Sequence, residues 1–152
     1  MEAIQDFEDM LFLLNKHEVQ YLIIGGLAFI YHAKPRYTKD MDLWINPDRR
    51  NIAKANCALE EFSSPILIMP DEFEQIIQIG VAPDRIDILL DIQGVQFDTA
   101  WRKRIVDNYG AVETNWIDID CLIRAKQKID NPRHKEDVRV LLEVKQLKKK
   151  NR

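Results

Sequence analysis

Hydrophobic positions recur along the chain at spacings that change from helix to strand and back. Ile4, Phe7, Leu11 and Leu14 fall at helical intervals and predict an amphipathic first helix over residues 2–16. Residues 19–24 form a short β-prone apolar run closed by Gly25-Gly26, and residues 27–33 read as a short helix stopped ahead of Pro35. Over residues 39–45 apolar and acidic positions alternate through Asp40, Met41, Asp42 and Leu43, which is strand periodicity. Ile52, Ala55, Leu59 and Phe62 then mark one face of a helix over residues 48–62.

Two apolar runs follow, 66–69 and 75–79, of which the second is read as a strand. Residues 85–90 form a stronger strand, opened by Pro83 and closed near Gly94, and residues 97–104 a short helix. The runs 105–109 and 112–117 flank Gly110 as a hairpin. Asp118 or Asp120 caps a helix reaching Lys128, and a last helix follows Pro132 with Val138, Leu141 and Leu142 turned inward. No internal repeat or low-complexity linker interrupts this order. The expectation is one domain over residues 1–152, with a core at about 19–145 and a basic tail over 145–152. That tail, with Lys145, Lys148, Lys149, Lys150 and Arg152, reads as a solvated, fraying helix end whose charge suits the helix dipole. Its functional alternative is a weak contact with RNA or a partner.

Composition narrows the class. With 152 residues, 46% hydrophobic and 31% charged, the chain can bury one real core, so disorder is excluded. Five Gly, six Pro and two Cys exclude a collagen-like or disulfide-scaffold protein. A net charge of −3 does not mark a nucleic-acid binder, although local basic patches stay open. Cys57 and Cys121 stand alone without a CxxC or a neighbouring His, and read as reduced structural thiols. The first residues are acidic where a secretion signal is basic, and no apolar run approaches the roughly 20 residues of a membrane span. A cytoplasmic protein with no membrane partner is expected.

The informative chemistry lies in Tyr21-Leu-Ile-Ile-Gly-Gly-Leu-Ala and Arg36-Tyr-Thr-Lys-Asp-Met-Asp-Leu-Trp. A strand ending in two glycines lets backbone approach a ligand closely, and the following helix points free N–H groups and a positive dipole end at that spot. Asp40 and Asp42 are two apart on a strand, so both carboxylates leave one face. They repel unless a cation neutralises them, and oxygen-only ligands favour Mg²⁺ or Mn²⁺. A third carboxylate on a neighbouring strand completes a site of the kind that clamps the attacking and leaving oxygens of phosphoryl transfer. Asp87, between Ile86 and Ile88, is the best candidate; Asp91 is its rival, and Asp84 belongs to the turn. The bland reading of Asp40 and Asp42 is an exposed edge strand with two solvated acids. An acid at position 87 inside an apolar strand resists that reading, because burial costs desolvation unless the acid is paired.

Gly25-Gly26, then 13 residues, then Asp40-Met-Asp42 resembles the signature of the nucleotidyltransferase superfamily related to DNA polymerase β. Arg36-x-Thr38 ahead of the acidic pair resembles the minimal bacterial and archaeal branch similar to AbiEii-type toxins. Arg85-Ile-Asp87-Ile-Leu-Leu and Gly94-Val-Gln-Phe97-Asp-Thr-Ala100-Trp resemble the third-carboxylate strand and the helix after it. Leu122-Ile-x-x-Lys126, then Arg133-x-Lys135-x-Asp137, resembles the final motif.

The resemblance implies an α+β nucleotidyltransferase fold: a small mixed sheet carrying the three aspartates, with helices packed mainly on one face, the one turned away from them. It implies that Gly25 and Gly26 let backbone reach a triphosphate, and that Asp40, Asp42 and Asp87 are catalytic and hold Mg²⁺, with Mn²⁺ as a substitute. Asp87 would also accept the proton of an attacking hydroxyl. Lys126 would face nucleotide phosphates, its alternative being an exposed helix lysine. Arg36 and Thr38 would brace the acidic strand or touch phosphate, and Arg36 could instead be a salt-bridge partner of the acidic pair. Lys135 and Asp137 are secondary positions. His17, His32 and His134 receive no catalytic role, and Trp44, Trp101 and Trp116 read as core or rim aromatics.

The implied reaction is attack of an acceptor hydroxyl on the α-phosphorus of an NTP, with pyrophosphate leaving. The implied acceptor is RNA or protein, and the implied setting is a toxin–antitoxin or phage-defence system with a cognate antitoxin or toxin. The alternative is a non-catalytic domain of this fold that binds nucleotide, RNA or protein. The apolar first helix leaves a homodimer open.

Overall fold

A computed structural model describes residues 1–151; Arg152, the end of the basic tail, lies outside the described residues. The chain runs α1 (Gln5–Lys16), β1 (Tyr21–Ile24), α2 (Gly25–His32), β2 (Asp40–Ile45), α3 (Arg49–Glu61), β3 (Ile76–Ile79), β4 (Arg85–Leu89), α4 (Phe97–Arg102), β5 (Ile105–Tyr109), β6 (Val112–Trp116), α5 (Ile119–Gln127) and α6 (Pro132–Lys150). The strands form one six-stranded mixed sheet in the order β3-β4-β2-β1-β6-β5. β1 pairs antiparallel with β2 and parallel with β6, β2 pairs parallel with β4, and β3 and β5 close the two edges antiparallel. The fold is α+β, as expected.

Alternation along β2 and β4 divides the interior into two layers. Met41, Leu43, Ile45, Ile86 and Ile88 point to one side and pack with Phe7, Met10, Leu11 and Leu14 of α1 and Ile52, Ala55 and Leu59 of α3. Each of these side chains contributes roughly 1.5–3 kcal/mol by leaving water, apart from the alanine. Asp40, Asp42 and Trp44 point to the other side, where Trp44 joins Leu22, Phe29, Phe97, Leu122 and Leu141. That layer is covered by α2, α4, α5 and α6, so most helices lie on the aspartate face rather than turned away from it. The reason is local: α2 starts where β1 ends and is carried across the acid face, and α5 and α6 pack onto α2.

Several element ends differ from the sequence reading for identifiable reasons. α2 begins at Gly25 instead of residue 27, because Gly25 adopts φ +67 and turns the chain directly from β1 into the helix. Residues 66–69, given no element by the sequence, lie in a loop where Ile68 alone is buried, and the Asn56 amide bonds both its N–H (2.8 Å) and its carbonyl (3.0 Å). Asp118, not Asp120, caps α5 by accepting from the Cys121 N–H. In α6 the fully buried stripe runs through Asp137 and Leu141, one turn apart, so Leu142 is 44% exposed instead of inward. The basic tail continues α6 as helix to Lys150, and Lys145 pairs with Asp120. Among the described residues no helix is long and apolar enough to cross a membrane.

Candidate active site

The parallel register of β2 and β4 sets Asp42 opposite Asp87 and Asp40 opposite Arg85, while β1 sets Ile24 opposite Asp42. All three aspartates therefore project from one face at the strand ends where α2 begins. One carboxylate oxygen from each lies within 4.8 Å of the others. Asp91 and Asp84 are not part of this group. Burial, reinforced by Asp40 and Asp87, pushes the Asp42 carboxyl up to about 7, against the opposing pull of Arg85 and Lys126. The Asp40 carboxyl is raised as well, first by burial and then by Asp87. Three crowded carboxylates, two of them reluctant to ionise, form an oxygen-only donor set that fits a hard divalent cation.

Gly25 is fixed by this arrangement. A β-carbon there would lie 2.9 Å from Cγ of Asp42 and closer still to its carboxylate oxygen. Gly26 is less constrained: its added carbon would meet Thr38 Oγ1 at 3.0 Å. Thr38 donates to the Asp40 carbonyl at 3.2 Å, so it braces the start of the acidic strand.

A cleft of about 270 Å³ is lined by the carboxylates of Asp40 and Asp42, by the basic side chains of Arg36, Lys39, Lys126 and Arg133, and by Gly25 and Gly26. Asp137 holds two of the basic side chains in place. Arg36 donates both terminal nitrogens to it, at 2.6 and 3.0 Å, and Lys126 Nζ donates at 2.8 Å. Burial pushes the Asp137 carboxyl upward, but the bonds from Arg36 and Lys126 outweigh it and hold the carboxyl below its ordinary value. Lys126 is 4% exposed, not an exposed helix lysine, and burial lowers its pKa despite Asp137. The Arg36 guanidinium also lies 4.1 Å from the centroid of the Phe29 ring.

Arg36 is thus no partner of the acidic pair. That place belongs to Arg85, whose Nη2 donates to Asp40 (2.6 Å) and Asp87 (3.0 Å) and whose Nε donates to Asp87 (2.9 Å). The signal for it was present in the two-residue spacing that puts Arg85 on the face of Asp87. His134 lines the same cleft and stands 3.5 Å from Lys126. It carried no sequence signal, because only the packing of α6 beside α5 brings it there. Tyr37, an exposed cleft residue, was likewise missed. Lys135 pairs with Asp130 in solvent and is not in the cleft. Trp44 and Trp116 are core, Trp101 stacks on Phe97 at the rim, and Cys57 and Cys121 are free thiols.

No family model and no curated protein matches the sequence. Solved structures do match in fold. The lincosamide antibiotic adenylyltransferase LnuA, with lincomycin bound, aligns with a TM-score of 0.63 at 14% identity, over 94% of this chain and 99% of LnuA. A Thermotoga maritima protein proposed to be a nucleotidyltransferase aligns at 0.61 and 13% identity, over 90% of each chain. ANT(2")-Ia in complex with adenylyl-2"-tobramycin aligns at 0.58 and 16% identity, over 89% of this chain and 84% of that one. The architecture is the nucleotidyltransferase fold.

Proposed function

We propose that the chain is a divalent-metal-dependent nucleotidyltransferase that moves an NMP from an NTP to an acceptor hydroxyl. The observation that carries this reading is that one cleft is lined by the carboxylates of Asp40 and Asp42, by the basic Arg36, Lys39, Lys126 and Arg133, and by the start of α2 at Gly25-Gly26. A metal–triphosphate complex carries the complementary charges, a cation for the carboxylates and phosphates for the basic side chains. Asp40, Asp42 and Asp87 would hold Mg²⁺ or Mn²⁺. The bound ion supplies charge neutralisation at the phosphate oxygens and eases loss of the acceptor's proton. Gly25 and Gly26 offer backbone N–H groups to phosphate without an intervening side chain. Lys126 and Arg36, pre-set by Asp137, receive the negative charge of the departing pyrophosphate, and Thr38 keeps Asp40 in place. Asp87 is the candidate acceptor of the hydroxyl proton. Positioning and fixed charge thus supply the catalysis.

Two acceptor classes are in view. The sequence resemblance to AbiEii-type toxins favours an RNA or protein hydroxyl in a toxin–antitoxin or phage-defence setting. The names of LnuA and ANT(2")-Ia favour a small-molecule hydroxyl, and the near-complete mutual coverage with LnuA supports that second reading.

The deciding experiment is calorimetric titration of nonhydrolysable NTPs with and without Mg²⁺, on the wild type and on Asp40→Asn/Asp42→Asn. Mg²⁺-dependent binding lost in the double variant is the expected result. No binding by the folded wild type at millimolar nucleotide would leave the non-catalytic binding domain as the reading. Labelled NTP offered with RNA, with cell protein and with hydroxylated antibiotics then separates the acceptors.

A further inference from the structure

Arg85 presents its guanidinium to the carboxylates on which the proposed metal site depends. It engages both oxygens of Asp87 and one of Asp40 through three hydrogen bonds of 2.6 to 3.0 Å. The guanidinium places a positive charge and its own bulk at three of these carboxylate oxygens, so it competes there with a metal ion, which needs the same negative charge close by. Asp42, the remaining member, receives none of these bonds and, like Asp40, lines the cleft. Arg85 is also able to leave: it is the first residue of β4, and its side chain is 29% exposed.

We propose that Arg85 is an exchangeable counter-cation of the acidic site. It holds Asp40 and Asp87 together while the site lacks metal, and it swings away when a divalent ion takes their oxygens. This rests on the metal reading above and adds to it a positioning residue and an order of events. Removing Arg85 from two carboxylates costs three charge-assisted hydrogen bonds, so the ion alone binds weakly. An ion arriving with a nucleotide brings phosphate oxygens, with which the released guanidinium can pair, and binding of metal and nucleotide become coupled.

The test is calorimetric titration of Mn²⁺, without nucleotide, into the wild type, Arg85→Gln, Asp42→Asn and Arg85→Gln/Asp42→Asn. Arg85→Gln is expected to bind Mn²⁺ about tenfold tighter than the wild type, the scale of one charge-assisted hydrogen bond. The gain should vanish in the double variant. A folded Arg85→Gln that binds Mn²⁺ no tighter than the wild type, with binding still lost in Asp42→Asn, overturns the exchange while sparing the metal site. Absence of Mn²⁺ binding in both the wild type and Arg85→Gln overturns the metal reading, and this inference with it. Should Arg85→Gln not fold, the wild type answers directly. The Arg85 Nε–H resonance, assigned by its absence in Arg85→Lys, is expected to shift on saturation with Mg²⁺ and Mg²⁺–nucleotide. A resonance unmoved by both overturns the exchange.

Discussion

The carboxylate of Asp42 occupies the space that a side chain on Gly25 would need, with Asp42 Cγ only 2.9 Å from the position of a β-carbon there. One residue opens α2 directly after β1 and the other lies on β2, the strand beside β1, so the absence of a side chain at one place is what admits the acid at the other. Gly25→Ala meets this clash and a φ of +67, a conformation that costs an L-residue about 1–2 kcal/mol. The expected outcome is a lower melting temperature and loss of Mg²⁺-dependent nucleotide binding. Gly26→Ala, whose one tight contact is with the Thr38 hydroxyl, is expected to fold normally and bind less tightly. Thermal unfolding and nucleotide titration of the pair check this; equal behaviour of the two variants would count against the packing argument.

Asp42 also sets a pH dependence. Its carboxyl is raised from 3.8 to about 7, mainly by burial. In the folded chain it therefore holds a proton that the unfolded chain has released, and ionising it works against folding. The sign follows from linkage: in chelator, this group's effect is to lower stability as pH rises from about 4 to about 7, with no further loss above. Asp42→Asn is expected to flatten that part of the profile and to be more stable than the wild type at pH 8 without metal. Denaturant unfolding in chelator across this range is the measurement, and addition of Mg²⁺ should raise only the wild type.

Asp137 bonds two cations from opposite ends of the chain, Lys126 and Arg36. Asp137→Ala leaves both without their shared anion in a buried place, and breaking such a pair costs about 3–5 kcal/mol. Lys126→Met removes a cation but leaves Asp137 paired with Arg36, so it is expected to cost less stability and more nucleotide affinity. Urea midpoints for the two single variants and the double variant test whether they are coupled, as residues in one network are.

Tyr37 is 69% exposed and lines the same cleft as the basic side chains. A side chain that open contributes little to folding, so Tyr37→Ala is expected to change stability by no more than about 0.5 kcal/mol. If a nucleobase stacks on the ring, affinity falls by about 1–3 kcal/mol, the usual worth of such a contact. A titration showing unchanged affinity would remove Tyr37 from the nucleotide site.

Local rules and long-range packing divide this protein between them. Period-two alternation put Asp40 and Asp42 on one face, and the isoleucines around position 87 marked a buried strand whose acid needed company; neither inference requires knowing the fold. The paired glycines likewise signalled a close backbone approach, and the hairpin around Gly110 followed from turn chemistry. These are legible because they depend on residues within a few positions of one another. Which strand lies beside β2 is not local: only the parallel β2–β4 register sets Asp87 rather than Asp91 against Asp42 and aligns Arg85 with Asp40. The partner of Arg36 stands 101 residues further along, and nothing near either residue marks the pair. The helices on the aspartate face follow from the same cause, since α2, α5 and α6 meet only once the sheet is assembled. The sequence by itself determined the acids, the glycines and their spacing. The tertiary structure decided which charges neutralise them, because Coulombic partners are chosen by distance in space and not along the chain.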